Sequence, residues 1–155
     1  MSSPEASSPI PVLFRKARPA DLVKVAEHMK PTGETPFYSF ADPEKLRSIP
    51  LDGLIIAELR SEYVGFLYWY HGEKPEFDES VGRYAYVEEF QVMDKFRGRG
   101  IGRKLLTYAL QQMKEAGVEA VYLRTREGNT PAQNLYESVG FRPYSRHIRY
   151  RLVLR

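Results

Sequence analysis

The stretch KFRGRGIG, Lys95 to Gly102, packs three glycines and two arginines into eight residues. An apolar run, AYVEEFQV, precedes it, and RKLLTYALQQM, apolar at helical spacing, follows it. A strand that stops at a glycine turn and feeds a helix leaves several backbone N–H groups unpaired, and the helix dipole adds partial positive charge there. Such a place is an anion site, with phosphate as its natural guest. Glycine lets phosphate oxygens approach the backbone where a Cβ would clash. Arg97, Arg99 and Arg103 add charge. A fold holding this unit must deliver a sheet strand straight into a packed helix.

The flanking sequence supplies the rest of such a fold. Val12 to Ala17 suits a first strand. Leu22, Val25, Ala26 and Met29 lie on one helical face, with Pro19 near the start. Asp42-Pro43 opens a short helix to about Ile49, Asp42 being the cap candidate. GLIIAEL and YVGFLYWYH read as two strands about the polar turn RSE, and RYAYVEEFQVM as a fourth strand. Leu105, Leu106, Ala109, Leu110 and Met113 share a helical face that ends at Gly117. EAVYLRT is a fifth strand, and Pro131 to Val139 a helix closed by Gly140. From Ile148 the residues Ile148, Tyr150, Leu152 and Leu154 alternate with Arg149 and Arg151, which predicts strand to the end. The expected order is β-α-α-β-β-β-α-β-α-β-β: an α/β fold with a mixed, mostly antiparallel sheet flanked by helices.

Length and composition bound the function. At 155 residues the chain fits one domain, expected over residues 12–155 behind a disordered tail at 1–11. That tail, MSSPEASSPIP, has no basic or apolar region of the signal-peptide kind. No apolar run nears the ~20 residues that span a bilayer. No cysteine is present, which removes disulfides, thiol nucleophiles and thiolate metal sites. These features make a cytoplasmic location and no membrane partner the expectation. The net charge of +3 is a weak lean toward anionic ligands. His28, His71 and His147 are scattered without metal-ligand spacing, so no metal is expected. Arg142, Arg146, Arg149, Arg151 and Arg155 fall mostly on the polar face of the last expected strand. A solvated face is favoured over a nucleic-acid surface.

Three phosphate-binding turns are worth comparing. The P-loop requires Gly-Lys-Ser/Thr, but Gly102 is followed by Arg103-Lys104-Leu105. The dinucleotide fingerprint needs a third glycine where Arg103 stands. The pattern Arg/Gln-x-x-Gly-x-Gly/Ala is matched in full by Arg97 to Gly102. A second motif, NTPAQNLYESVGF, places Asn129, Ala132, Tyr136, Gly140 and Phe141 at the spacing Asn-x-x-Ala-x-x-x-Tyr-x-x-x-Gly-Phe. With both motifs the chain resembles the GNAT family of acetyl-CoA-dependent N-acetyltransferases, most densely over Val87 to Phe141.

That resemblance implies a direct transfer of acetyl from acetyl-CoA to a primary amine of a small molecule, peptide or protein, with a homodimer possible. The CoA pyrophosphate would sit on the N–H groups of Gly98, Arg99, Gly100, Ile101, Gly102 and Arg103, beside Arg97. The pantetheine arm would pair with backbone around Phe90, Gln91 and Val92, an N–H near Val92 polarising the thioester carbonyl. Asn129 would contact the cofactor arm. Tyr136 stands where the family has its general acid, and a packed aromatic is the plainer alternative. Glu88 and Glu89 interrupt an apolar strand. An alkyl amine, with a pKa near ~10, needs a base to free its lone pair. VEEFQVM is similar to LEDFFVM of the spermidine/spermine acetyltransferases, where the first carboxylate faces the substrate. That favours Glu88 as base or amine binder over Glu89. Simple alternation puts Glu88 on a face with Phe90 and Val92, and a bulge here would exchange the faces. Phe37, Tyr38 and Phe40 could wall the acceptor pocket or form a satellite core cluster. The rival function is a non-catalytic module on the same fold that binds CoA or nucleic acid.

Overall fold

The computed structural model describes residues 11–30, 41–73 and 82–155. They fall into two compact units, one running to Leu123 and the other from Arg124 to Arg155. The first unit carries β1 (Val12–Lys16), α1 (Leu22–Met29), α2 (Pro43–Leu46), β2 (Leu54–Leu59), β3 (Glu62–Gly72), β4 (Tyr84–Val92), α3 (Ile101–Glu115) and β5 (Ala120–Tyr122). The second carries α4 (Thr130–Ser138).

The five strands form one sheet in chain order. β1, β2, β3 and β4 pair antiparallel, while β4 and β5 pair parallel. The sheet is therefore mixed and mostly antiparallel, as the sequence predicts. One face holds Leu54, Ile56, Phe66 and Tyr68 against Leu22, Val25, Ala26 and Met29 of α1 and Leu46 of α2. α3 packs on β1, β3 and β4, with Ile101, Leu105, Leu106, Ala109 and Met113 buried. Both helices thus bury the stripe their apolar spacing marks out, except that Leu110 of α3 is only half-buried. Truncating fully buried Leu106 to alanine would cost about 2–5 kcal/mol through lost burial and the cavity left behind.

A polar staple fixes where α1 leaves β1. The Arg15 guanidinium donates to both Asp21 carboxylate oxygens at 2.7 and 2.8 Å, and Nε and Nη2 donate to Glu58 on β2 at 2.9 and 2.6 Å. The Arg18 N–H adds a bond to Asp21 at 2.7 Å. Burial pushes the Asp21 carboxyl upward. The bonds from Arg15 and Arg18 outweigh it and hold the group below its ordinary value.

β4 contains the irregularity that matters most. Tyr68 and Trp69 are consecutive on β3, yet they face Glu89 and Val87, so Glu88 is an extra residue in β4. Past Tyr86, moreover, β4 and β5 no longer pair, the last parallel partner being Tyr122.

In the second unit, Phe141 to Arg155 forms no strand, contrary to the alternation read from the sequence. Alternation shows that a segment could half-bury one face. A strand also needs a neighbouring ladder for its N–H and C=O groups, and none is formed with this segment.

Candidate active site

The glycine turn is built by three local devices. Phe96 is buried and closes a short 3₁₀ turn over Asp94–Phe96, anchoring the loop on the core. Gly98 and Gly100 have φ of +79° and +77°, values that L side chains rarely adopt. Arg99 between them is not in that region, so the backbone alternates in sign and successive N–H groups can turn toward one concavity. Gly100 then caps α3 with no side-chain bond, and the first helical bond is Lys104 N–H to Gly100 C=O at 3.2 Å. The N–H groups of the first turn have no intrahelical acceptor. A Cβ at Gly98 or Gly100 would meet nothing within 4 Å, so the space over the backbone is open. Arg99 lies 5.7 Å from the Phe96 ring centre and Lys95 5.0 Å from it, which keeps two cations at the rim. Open backbone donors, positive charge and a fifteen-residue helix dipole suit a pyrophosphate.

Arg97 ties this turn to β4. Its Nε donates to Val92 C=O at 3.1 Å, Nη1 pairs with Asp94 at 3.1 Å, and Nη2 reaches Gln91 Oε1 at 3.4 Å. Met93 N–H bonds Val64 C=O of β3 at 2.8 Å. By alternation the backbone polar groups of Val92 and Phe90 point to the other side, where among the described residues no strand pairs with β4 beyond Tyr86. That stretch, which no strand covers, has its Val92 carbonyl on Arg97 and its Phe90 N–H on the Glu89 carboxylate, and it is the length of backbone an amide-bearing arm could lie along.

The bulge decides the carboxylates. Register sets Glu89 opposite Tyr68, and Phe90 opposite Leu67 on the other face. Glu88 is exposed, and its charge acts on both Tyr68 and Glu89. The two acids therefore gather beside Tyr68, and the simple alternation that joined Glu88 to Phe90 and Val92 is broken by the extra residue. Glu89 is half-buried and accepts from Gln91 Nε2 at 2.9 Å. Burial pushes its carboxyl above the ordinary value. Glu88 pushes the same way, against the opposing bonds from Gln91 and the Phe90 N–H. A carboxylate with raised proton affinity is a better proton acceptor than a solvated one.

The sequence gives no sign of the Gln91 side-chain bonds; it favours Glu88 through the likeness of VEEFQVM to LEDFFVM, and the bulge it allows for is present at Glu88. Phe37, Tyr38 and Phe40 lie outside the described residues. Among the described residues no group of three or more histidine, aspartate and glutamate side chains could hold a metal, and no helix is long and apolar enough to cross a membrane.

In the second unit, Asn129 caps α4, its side chain accepting from Ala132 N–H at 3.3 Å. The C-terminus is a Schellman motif: Phe141 N–H bonds Tyr136 C=O at 3.0 Å and Gly140 N–H bonds Glu137 C=O at 3.1 Å, with Gly140 at φ +110°. Phe141 packs edge-on to Tyr136, ring centres 6.1 Å apart. The Tyr-x-x-x-Gly-Phe spacing is thus first a helix terminator, and it fixes the ring of a half-buried tyrosine.

Residues 22–141 match the sequence model of the acetyltransferase (GNAT) family, so the chain belongs to that family. It is 32% identical over 112 residues to an N-alpha-acetyltransferase of Sulfurisphaera tokodaii, covering 69% of this chain and 65% of that protein. It is 36% identical over 89 residues to the mycothiol acetyltransferase of Corynebacterium glutamicum, covering 57% and 28%. The chain therefore spans less than two thirds of the length of these relatives. The fold is that of AAC(6')-Iy, an aminoglycoside N-acetyltransferase solved with a bisubstrate analogue. The TM-score is 0.74 at 21% identity, with 93% of this chain and 99% of that one covered.

Proposed function

We propose that this protein transfers an acetyl group from acetyl-CoA directly to a primary amine, with Glu89 as the proton acceptor. The observation that carries this reading is the run of one short segment from a half-buried carboxylate, through an open strand edge, into an anion-binding turn. The N–H groups from Gly98 to Arg103 hold the pyrophosphate, and Arg97, Arg99 and Arg103 neutralise it. The open edge at Phe90 to Val92 aligns the pantetheine arm, and the Val92 N–H polarises the acetyl carbonyl. Glu89 takes the proton of the bound ammonium while exposed Glu88 attracts the cation. The amine nitrogen then bonds to the acetyl carbon, the carbon–sulfur bond breaks, and the nitrogen gives up its second proton to solvent as the amide forms, so that Tyr136 regains from solvent the proton it donates. Tyr136, by its place in the family motif, returns a proton to the departing thiolate. Asn129 reaches the cofactor arm in the family pattern, and here its cap bond also starts α4. The relatives' names support an amine acceptor of the α-amino or amino-sugar kind.

The test is acetyl-CoA with a panel of peptides bearing free α-amines, amino-sugars and diamines, read by free-thiol release. Acetylation of at least one class is expected. CoA binding without thiol release across the panel would favour a non-catalytic CoA-binding module and overturn the enzymatic reading.

A further inference from the structure

The Gln91 side chain lies between two groups that the proposed reaction uses. Its amide nitrogen donates to Glu89 at 2.9 Å and its amide oxygen faces Arg97 Nη2 at 3.4 Å. A carboxylate only accepts and a guanidinium only donates, so this neighbourhood permits one amide orientation. Gln91 is on the face of Glu89, since Phe66 and Tyr68 of β3 stand opposite the two. The bulge ends just before this pair, which leaves Glu89 and Gln91 two residues apart in regular strand and side by side.

We propose that Gln91 is the positioning residue of the site: its amide holds the Glu89 carboxylate in the orientation that receives the substrate proton, and anchors that orientation to the anion-binding turn through Arg97. The proposal rests on Glu89 being the base. Without the amide, Glu89 would lose its side-chain donor and keep only the bond from the Phe90 N–H. The groups that face Glu89 are Glu88 on its own strand, Tyr68 across on β3 and, through Gln91, the Arg97–Asp94 pair. From α1, His28 acts on that same pair. None of these besides Gln91 donates a side-chain hydrogen bond to Glu89 among the bonds that shift its proton affinity. Loss of the amide therefore favours the protonated acid.

The experiment uses the full chain. The Glu89 carboxyl carbon is assigned by its loss in Glu89→Gln and titrated by NMR in wild type, Gln91→Met and Gln91→Glu. The Glu89 midpoint should move up in Gln91→Met, which keeps length and loses the donor. It should move further up in Gln91→Glu, which adds a like charge. The rise of the acetylation rate with pH should shift in parallel. An unmoved Glu89 midpoint in both variants would overturn the proposal. If Gln91→Met does not fold, the isosteric Gln91→Glu carries the same test. A moved midpoint with an unmoved rate profile would leave the positioning in place and remove Glu89 as the base.

Discussion

Replacing Gly100 by alanine separates the turn's conformational role from its ligand role. In the free protein the added methyl meets no atom within 4 Å, so its only cost is the positive φ of +77°. That cost is about 1–2 kcal/mol. At about 2–4 °C per kcal/mol for a chain of this size, the melting temperature should fall by roughly 2–8 °C. With CoA the same methyl stands where a phosphate oxygen would approach the backbone. Losing one charge-assisted hydrogen bond, about 1.5–3 kcal/mol, weakens binding roughly 10–150-fold. Gly117 is the control. It has φ +84°, lies past the far end of α3, and an added Cβ would meet only the end of the Arg83 side chain, at 2.8 Å. Gly117→Ala should lower the melting temperature and leave CoA affinity unchanged. Calorimetric titration with CoA and thermal unfolding of both variants complete the assay. Unchanged CoA affinity in folded Gly100→Ala would refute phosphate binding at the turn. A matching affinity loss in Gly117→Ala would mean the effect travels through general destabilisation.

The other predictions follow from single groups. Tyr136→Phe should keep CoA affinity and lower turnover about 10²–10⁴-fold in steady-state kinetics, the loss of a general acid. Glu89→Gln should slow transfer most at neutral pH and recover at high pH, where free amine is abundant; Glu88→Gln should chiefly raise KM. Because the folded protein holds the Glu89 proton affinity above the ordinary value, its ionisation costs stability as pH rises. Glu89→Gln should therefore melt higher than wild type at neutral pH. Arg15→Met should cost about 2–4 kcal/mol in denaturant unfolding, since it leaves Asp21 and Glu58 part-buried without their partner. Asp21 is depressed in the fold, so it contributes stability above its unfolded value that is lost as pH falls through the folded one. Removing Arg15 removes much of that contribution, so the stability gap between wild type and variant should narrow as pH falls below the unfolded Asp21 value.

Local pattern made most of the fold legible. The apolar stripes of α1 and α3 and the strands about RSE follow from side-chain period alone, and the glycines at 98 and 100 forecast a turn that only positive φ can make. The Gly140-Phe141 pair likewise marks a helix end. What stayed hidden depends on neighbours distant in sequence. The extra residue at Glu88 is a matter of register against β3, and nothing in EEFQ says which glutamate will be shielded. Gln91 reads as a neutral strand residue until Arg97 folds back toward it. The segment from Ile148 onward alternates as a strand should, yet alternation cannot supply the partner whose hydrogen bonds would make it one.

The parting of β4 from β5 has a consequence for the protein without its acyl donor. A strand edge that no neighbouring strand covers is a template for another chain, and proteins blunt such edges with charge. Here Arg97 puts a guanidinium on the Val92 carbonyl at 3.1 Å, a cation standing where an invading strand would have to begin its ladder. Arg97→Ala should therefore make the ligand-free protein prone to self-association at concentrations where wild type stays dispersed. Saturating CoA should suppress that association, because an arm laid along the edge would occupy the place a second chain would take.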